Sequence, residues 1–588
     1  MRRFAFASLA FLAVFRGAAQ DTLIQHITGR RIESLDGAWQ YLVDPYGTGY
    51  YDYRHQPMTR GGFFEDRQPK DSTQFVEYDF NHAPSLHVPG DWNSQDPKLL
   101  YYEGILWYRR QFTVSVASGH RYFLYFGAVN YAAHVYLNGR PLGDHYGGFT
   151  PFQFEVTGLL KPGENSLVLM VDNTRHQDDV PTVNTDWWNY GGITRDVYLA
   201  DMPSDFIRDY SLHLDPRHPD RIVGSVVAVG PVDISIPAAG LHWTAQPGVP
   251  FSIPAPGLKK WSPGDPFLYD VHLRSAGDSV SDRIGFRTIS VRGQDILLNG
   301  KSIFLKGICI HDENPLIPGR NRGEGDLRML LEWAKELHCN YVRLAHYPHN
   351  EAMLRLADEM GLLVWAEIPV YWTISFDNPG TFAEAAGQLT GMISRDKNRA
   401  SVVIWSVGNE TPVTAPRLRF MGNLADSARA LDSTRLVTAA MEVRTQGMDM
   451  TVDDPLAAKL DLVSFNEYRG WYSGGLNDIE GVHFHIANQK PVVISEFGGE
   501  ALGGFHGDST TRWTEEYQEA LYVHQLRLLS TLEGLRGMTP WILVDFRSPR
   551  RQNSVYQNGW NRKGLISSDG QKKKAFFVVR SFYDHIHD

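Results

Sequence analysis

From about residue 21 to residue 200, apolar and polar positions alternate in many short runs cut by turn residues, as in RYFLYFGAV (121–129), AAHVYLNGRPLG (132–143) and NSLVLMVDN (165–173). A two-residue period suits strands with one buried face, and the pair Asn138, Gly139 between two such runs signals a tight hairpin. Short strands at this spacing predict a jelly-roll-like β-sandwich over residues 21–201. Residues 202–288 repeat the style on a smaller scale, with Pro and Gly clusters at 249–257 and 262–266, and predict a second, immunoglobulin-like β-sandwich.

Beyond a hairpin at Asn299, Gly300 the texture changes, and apolar strand-like runs alternate with segments of helical period such as GEGDLRMLLEWAKELH and NEAMLRLADEMG. The strands fall at 304–310, 340–345, 362–368, 401–407, 435–440, 461–466, 491–496 and 540–545. Eight such units predict a catalytic (β/α)8 TIM barrel over residues 289–588. An open doubly wound sheet would carry a Gly-rich phosphate loop after its first strand, where GICIHDENP stands instead. The expected fold class is therefore multidomain β + α/β.

In the barrel, two apolar strands end in glutamate: SVVIWSVGNE closes on Glu410 and PVVISEF contains Glu496. Parallel α/β barrels put their chemistry at the C-terminal ends of strands. With Glu410 after the fourth strand and Glu496 on the seventh, the two carboxylates face each other across one mouth. Such a pair is what glycoside hydrolysis requires: one group protonates the leaving oxygen while the other stabilises or attacks an oxocarbenium-like centre.

Composition narrows the field. The net charge of −10 excludes nucleic acid and anionic membrane as global partners, and no apolar stretch approaches a membrane span. Aromatic residues make up 12% of the chain, which suits stacking on sugar rings and equally suits packed sandwich cores. Arg2 and Arg3, an apolar run from Phe4 to Phe15 and small residues before Gln20 read as an export signal over residues 1–20, so a periplasmic or secreted protein is expected. The only cysteines, Cys309 and Cys339, lie in apolar contexts. Free core thiols are favoured over a single disulfide, and over a metal site for which no paired spacing exists. Neither metal nor organic cofactor is expected, and the sequence is compatible with a homo-oligomer.

The order of domains and the motifs NE after the fourth strand and SE on the seventh resemble glycoside hydrolase family 2 over essentially the whole mature chain. The run Asn340, Tyr341, Val342, Arg343, Leu344, Ala345, His346, Tyr347, Pro348 is similar to a family element, and His311 sits where a family histidine is found. The resemblance implies a retaining exo-glycosidase with Glu410 as acid/base and Glu496 as nucleophile. It also implies Asn409 on the sugar 2-hydroxyl and Arg343 beside the nucleophile. Asp186, within TDWWNYGGITR, matches an acid that the first sandwich sends into the site, and Trp541 matches a platform under the ring.

The last loop bears on the sugar. Between Phe546 and Ser568 stand Arg547, Arg550, Arg551, Arg562 and Lys563 with no acid among them, a cationic loop suited to an anionic substrate. Asn561 and Lys563 resemble the element with which the family's glucuronidases hold the sugar carboxylate, and Asn466 to Tyr472 resembles the segment whose tyrosines, here Tyr468 and Tyr472, flank nucleophile and sugar. An arginine is expected four residues before Asn561, yet Gln557 stands there, with Arg550 or Arg551 as substitutes. The expected substrate is thus a terminal β-linked glucuronide. A galacturonide or galactoside of the same family, and a non-catalytic carbohydrate-binding protein, are the alternatives.

Overall fold

The computed structural model describes residues 23–586. The export signal expected at 1–20 lies outside the described residues. The first sandwich consists of a six-stranded antiparallel sheet packed on a four-stranded one, the latter made of Ile32–Ser34, Val197–Pro203, His120–Phe126 and Phe152–Glu155. Between the sheets lie Trp39, Tyr108, Leu124, Phe126 and Leu169. The central strand Gly163–Asp172 is buried on both faces, because Phe64 and Phe80 of the 44–80 loop pack with Trp107, Val168 and Met170 on its outer side. Its continuous apolar run follows from that double cover.

The second module has a three-stranded and a four-stranded antiparallel sheet enclosing Tyr210, Ile234, Trp243 and Val271. A hairpin from Ile289 to Ser302 then leads into the barrel, turning at Asn299 and Gly300 with φ of 54° and 82°.

The barrel strands are β1 (Leu305–Lys306 continued by Cys309–Ile310), β2 (Tyr341–Leu344), β3 (Leu363–Glu367), β4 (Val402–Asn409), β5 (Leu436–Met441), β6 (Val463–Glu467), β7 (Val492–Phe497) and β8 (Leu535–Met538). All pair in parallel, and the ring closes because the first half of β1 pairs with β8 while its second half pairs with β2. One core layer packs Leu330, Val342, Leu354, Val364, Val402, Trp405 and Ile494 under the surrounding helices. A second joins Tyr341, Trp365, Ile404 and Val493 to Ile296 and Leu298 of the hairpin, which covers the barrel's N-terminal end. Such double burial explains why β4 and β7 read as unbroken apolar runs.

Two expectations change. The eighth strand is Leu535–Met538, not 540–545: Gly537 packs against Leu305, where a Cβ would lie 2.6 Å from the leucine side chain, and this close approach lets a short, weakly apolar segment close the ring. The more strand-like WILVDF enters the mouth as a loop, with Val544 and Ile566 forming only an isolated bridge. Nor is every unit strand–helix. Long helices follow β1, β2, β3, β4, β7 and β8, whereas Pro455–Lys459 and Leu476–Gly481 are short 3-10 turns. Three short strands at Arg444–Gln446, Asp449–Val452 and His483–Ile486 form a small sheet there instead.

Candidate active site

Glu410 and Asn409 are consecutive, and a regular strand would send them to opposite faces. Two local features bring both into the mouth. The β4/β5 register shifts between Ser406 and Asn409, and Glu410 adopts a left-handed φ of 49°. Irregularities of this kind re-aim side chains, at a cost of roughly 1 kcal/mol for a non-glycine residue. Gly408 permits the bend, since a Cβ there would meet the Val370 carbonyl at 2.6 Å. A second register shift, between Phe465 and Asn466, sets Asn466 beside Glu496 in the β6/β7 ladder.

Asn466 links Glu410 to the residue before Glu496: its Nδ2 donates to Glu410 Oε1 at 2.8 Å and its Oδ1 accepts from Ser495 Oγ at 2.7 Å. The Trp372 indole donates to the other Glu410 oxygen at 2.8 Å. Burial, reinforced by the negative charge of Glu496, pushes the Glu410 carboxyl up to about 7 despite these two donors and Arg343. A carboxyl poised there is partly protonated at neutral pH, so it can both give up and take back a proton.

Glu496 stands in a different environment. Arg343 Nη1 donates to its Oε1 at 2.7 Å and the Tyr468 hydroxyl donates to its Oε2 at 2.6 Å. The fully buried Arg343 is itself held by Glu367, at 2.9 and 3.2 Å, and by Asn409 Oδ1 at 2.8 Å. Glu367 also accepts from Trp365 and Ser406 at 2.8 and 2.7 Å, and His346 Nδ1 lies 2.9 Å from it. Burial opposes the charge on Glu367, yet Arg343 and His346 bring it down to about 2. One planar guanidinium thus places one hydrogen bond on Glu496 through Nη1 while its Nη2 is fixed by Glu367 and Asn409.

The pocket wall is aromatic. Trp541 stacks on His346 with ring centroids 4.8 Å apart, and Trp187 from the first sandwich meets Tyr371 edge-on at 4.9 Å. His311, held by the Tyr347 hydroxyl at 3.0 Å, is pushed well below its ordinary range by burial and stays neutral. Its Nε2 and the Asn409 Nδ2 are buried with no protein partner among the described residues.

The last loop meets Asp186 here. Asp186 accepts from Ser548 Oγ at 2.6 Å and Asn561 Nδ2 at 3.2 Å, and forms an ion pair with Arg551. Tyr472 takes Lys563 Nζ at 2.7 Å and Arg551 Nη2 at 3.1 Å on its hydroxyl. Buried Glu500 lies 3.5 Å from Lys563 Nζ. The loop is accordingly not a field of unbalanced positive charge. Arg551 faces Asp186, Lys563 faces Glu500 and Arg562 faces Asp545 at 3.3 Å; the first two counter-charges come from segments remote in sequence and the third from the residue just before the loop. Arg550 stands on the rim, bound to Asn184 and over the Trp372 ring at 4.8 Å, so it reaches Glu410 only through Trp372.

The other candidates converge: Asp186, His311, Arg343, His346, Asn409, Glu410, Tyr468, Tyr472, Glu496, Trp541, Arg551, Asn561 and Lys563 surround one cleft. Beside Glu410 it widens into a cavity of about 390 Å³ walled by Trp372, Met441, Val443, Met450 and Tyr472. Four polar participants were missed by sequence reasoning. Glu367 ends LVWAE as Glu410 and Glu496 end their strands, a signal that was present; Asn466 heads the segment already noted, though no role was read for it; Trp372 and Glu500 gave no signal on their own. Cys309 and Cys339 are both free and buried, as favoured.

Comparison with known families agrees with this architecture. Residues 289–588 match the TIM barrel domain of glycosyl hydrolases family 2, residues 32–203 match that family's sugar binding domain, and residues 226–287 match a further model described as glycosyl hydrolases family 2. The chain belongs to glycosyl hydrolases family 2. Among its relatives, a β-glucuronidase of Paenibacillus borealis is 28% identical, covering 94% of this chain and 96% of that one. A dog β-glucuronidase is 27% identical over 94% and 91% of the two chains. Among solved structures, an uncultured Clostridium β-glucuronidase superposes with a TM-score of 0.82 at 25% identity, covering 95% of this chain and 98% of that one. A family 2 β-galacturonidase of Eisenbergiella tayi gives 0.77 at 25% identity, covering 95% and 97%. The chain is thus an O-glycoside hydrolase of family 2, acting on a carbohydrate substrate.

Proposed function

We propose that this enzyme is an exported, retaining exo-β-glucuronidase. Glu410 is the acid/base, because burial and Glu496 keep it protonated up to about pH 7. Glu496 is the nucleophile, oriented by the hydrogen bonds it accepts from Arg343 and Tyr468. In the first step Glu496 attacks the anomeric carbon, the glycosidic C–O bond breaks, and the Glu410 proton passes to the leaving oxygen. In the second, Glu410 takes a proton from water, whose oxygen displaces Glu496 from the anomeric carbon. Asn409 Nδ2 is free to donate to the 2-hydroxyl, and the cavity beside Glu410 has room for the leaving group.

The observation that carries the sugar assignment is the juxtaposition of Asn561, Lys563 and Arg551 on one wall of the cleft, an amide and two cations that suit a carboxylate on the sugar ring. Arg551 reaches Tyr472 and Asp186 and takes the place of the arginine missing at Gln557. The relatives named β-glucuronidase support the same sugar. A second reading, β-galacturonidase, is favoured by Gln557 itself and by the Eisenbergiella tayi neighbour. Export rests on the first 20 residues.

Hydrolysis of matched aryl β-glucuronide, β-galacturonide and β-galactoside tests the assignment. The glucuronide should have the highest kcat/KM; a preference for the neutral sugar would overturn it. Fractionation of expressing cells should place the protein outside the cytoplasm.

A further inference from the structure

Glu500 lies four residues beyond Glu496, is 1% exposed, and belongs to no step of the reaction above. It is clamped from one side. Gln557 Nε2 donates to its Oε1 at 3.0 Å and its Oε2 at 2.9 Å, and the Arg562 backbone N–H donates to Oε2 at 3.0 Å. On the other side lie two cations: Lys563 Nζ at 3.5 Å and Arg551 Nη1 at 4.0 Å.

These distances are informative. A free carboxylate facing a buried ammonium closes to about 2.8 Å. Glu500 is held back by its clamp, so it supplies Lys563 with an opposing charge without fully consuming a donor. Of the three ammonium protons, one goes to the Tyr472 hydroxyl at 2.7 Å and one faces Glu500, which leaves the third for a substrate atom. Lysine is a point charge on a flexible stem, and fixing it in one place requires partners of this kind. At 1% exposure, Lys563 would otherwise be a poorly compensated buried charge.

Gln557 completes the logic. An arginine at 557 would neutralise Glu500 itself, whereas the neutral amide orients Glu500 and leaves its charge to Lys563 and Arg551.

We propose that Glu500, clamped by Gln557, is the positioning residue that holds Lys563 and Arg551 ready for a carboxylate on the sugar, and so a determinant of selectivity for charged over neutral glycosides. The inference rests on the uronide reading above. It concerns affinity for the sugar carboxylate and leaves the chemical step to Glu410 and Glu496.

The test uses two lactone inhibitors of the full-length enzyme: glucaro-1,5-lactone, which carries a carboxylate, and glucono-1,5-lactone, which does not. Glu500→Gln should weaken the first at least tenfold and the second less than twofold. KM for an aryl glucuronide should rise while kcat changes less than threefold. The exchanged pair Glu500→Gln with Gln557→Glu returns a carboxylate to the same hydrogen bonds and should recover most of the loss. Should Glu500→Gln fail to fold, Gln557→Ala keeps the charge but removes its clamp, and should weaken only the carboxylated inhibitor, by about threefold or more. Unchanged affinity for that inhibitor, or equal weakening of both, overturns the inference. A wild-type enzyme that does not distinguish the two lactones overturns the uronide reading and this inference with it.

Discussion

Asn466 lies beside Glu496 in the barrel ladder and donates its side-chain amide to Glu410 at 2.8 Å, so one residue ties the positions of the two carboxylates together. Their environments nevertheless differ. Glu496 has a guanidinium and a phenol on its oxygens, whereas Glu410 has an indole and an amide, both neutral. Two carboxyls in one cleft acquire distinct roles when their surroundings favour opposite protonation states.

The Glu410 carboxyl is held near 7 by burial and by Glu496. Glycoside hydrolysis should therefore lose kcat/KM as pH rises through about 7, where the proton needed by the leaving group is lost. Glu410→Gln should flatten that limb and cost about 10²- to 10⁴-fold on alkyl glycosides, the size of a general-acid contribution. Activated aryl glycosides should be hurt less, because their leaving groups need little proton assistance. pH–rate profiles of both proteins check this.

The same shift has a stability consequence. The folded carboxyl titrates near 7 against 4.5 in the ordinary state, so between those values the native protein holds a proton that the unfolded chain has lost. That contribution is fully present below pH 4.5 and disappears as pH rises through about 7, amounting at most to about 3 kcal/mol. Thermal melts at pH 5 and pH 8 should show the wild type losing more than Glu410→Gln. Equal losses would contradict the shift.

Arg343 donates to Glu496, Glu367 and Asn409 from full burial. Lysine offers one point charge in place of the planar fork and cannot hold all three. Arg343→Lys should lower kcat at least a hundredfold. Truncation to Ala leaves Glu367 buried without its main counter-charge and should cost about 3–5 kcal/mol. Turnover and melting temperature read the two effects separately.

Lys563→Ala removes one cation from the proposed carboxylate wall. Truncating one partner of a buried charge pair costs about 2 kcal/mol or more, or roughly thirtyfold in binding. KM for aryl glucuronides should rise accordingly, while any hydrolysis of the matched galactoside stays unchanged.

Much of this was legible in the sequence because strand order and strand-end chemistry are local properties. SVVIWSVGNE and PVVISEF revealed both a doubly buried strand and the group at its end, and the spacing of the apolar runs revealed the barrel. Leu535–Met538 escaped because its pairing depends on Gly537 lying against Leu305, a long-range approach with no apolar run to mark it. The last loop misled for a related reason. Its five cations are visible together in the sequence, but Asp186 and Glu500 reach them only through the fold, and Asp545, one residue before the loop, meets Arg562 once the loop turns back. Glu367 could have been read from LVWAE by the criterion that selected Glu410 and Glu496.

The central claim is a retaining reaction on a charged sugar with Glu496 as the attacking group. Incubation with an activated 2-fluoro-β-glucuronide, followed by mass spectrometry of peptides, tests it most directly. The account predicts rapid inactivation and one fluoroglucuronyl ester on the peptide carrying Glu496, with the matched 2-fluoro-galactoside reacting far more slowly. An ester on Glu410 or any other residue, or faster inactivation by the neutral sugar, would contradict it.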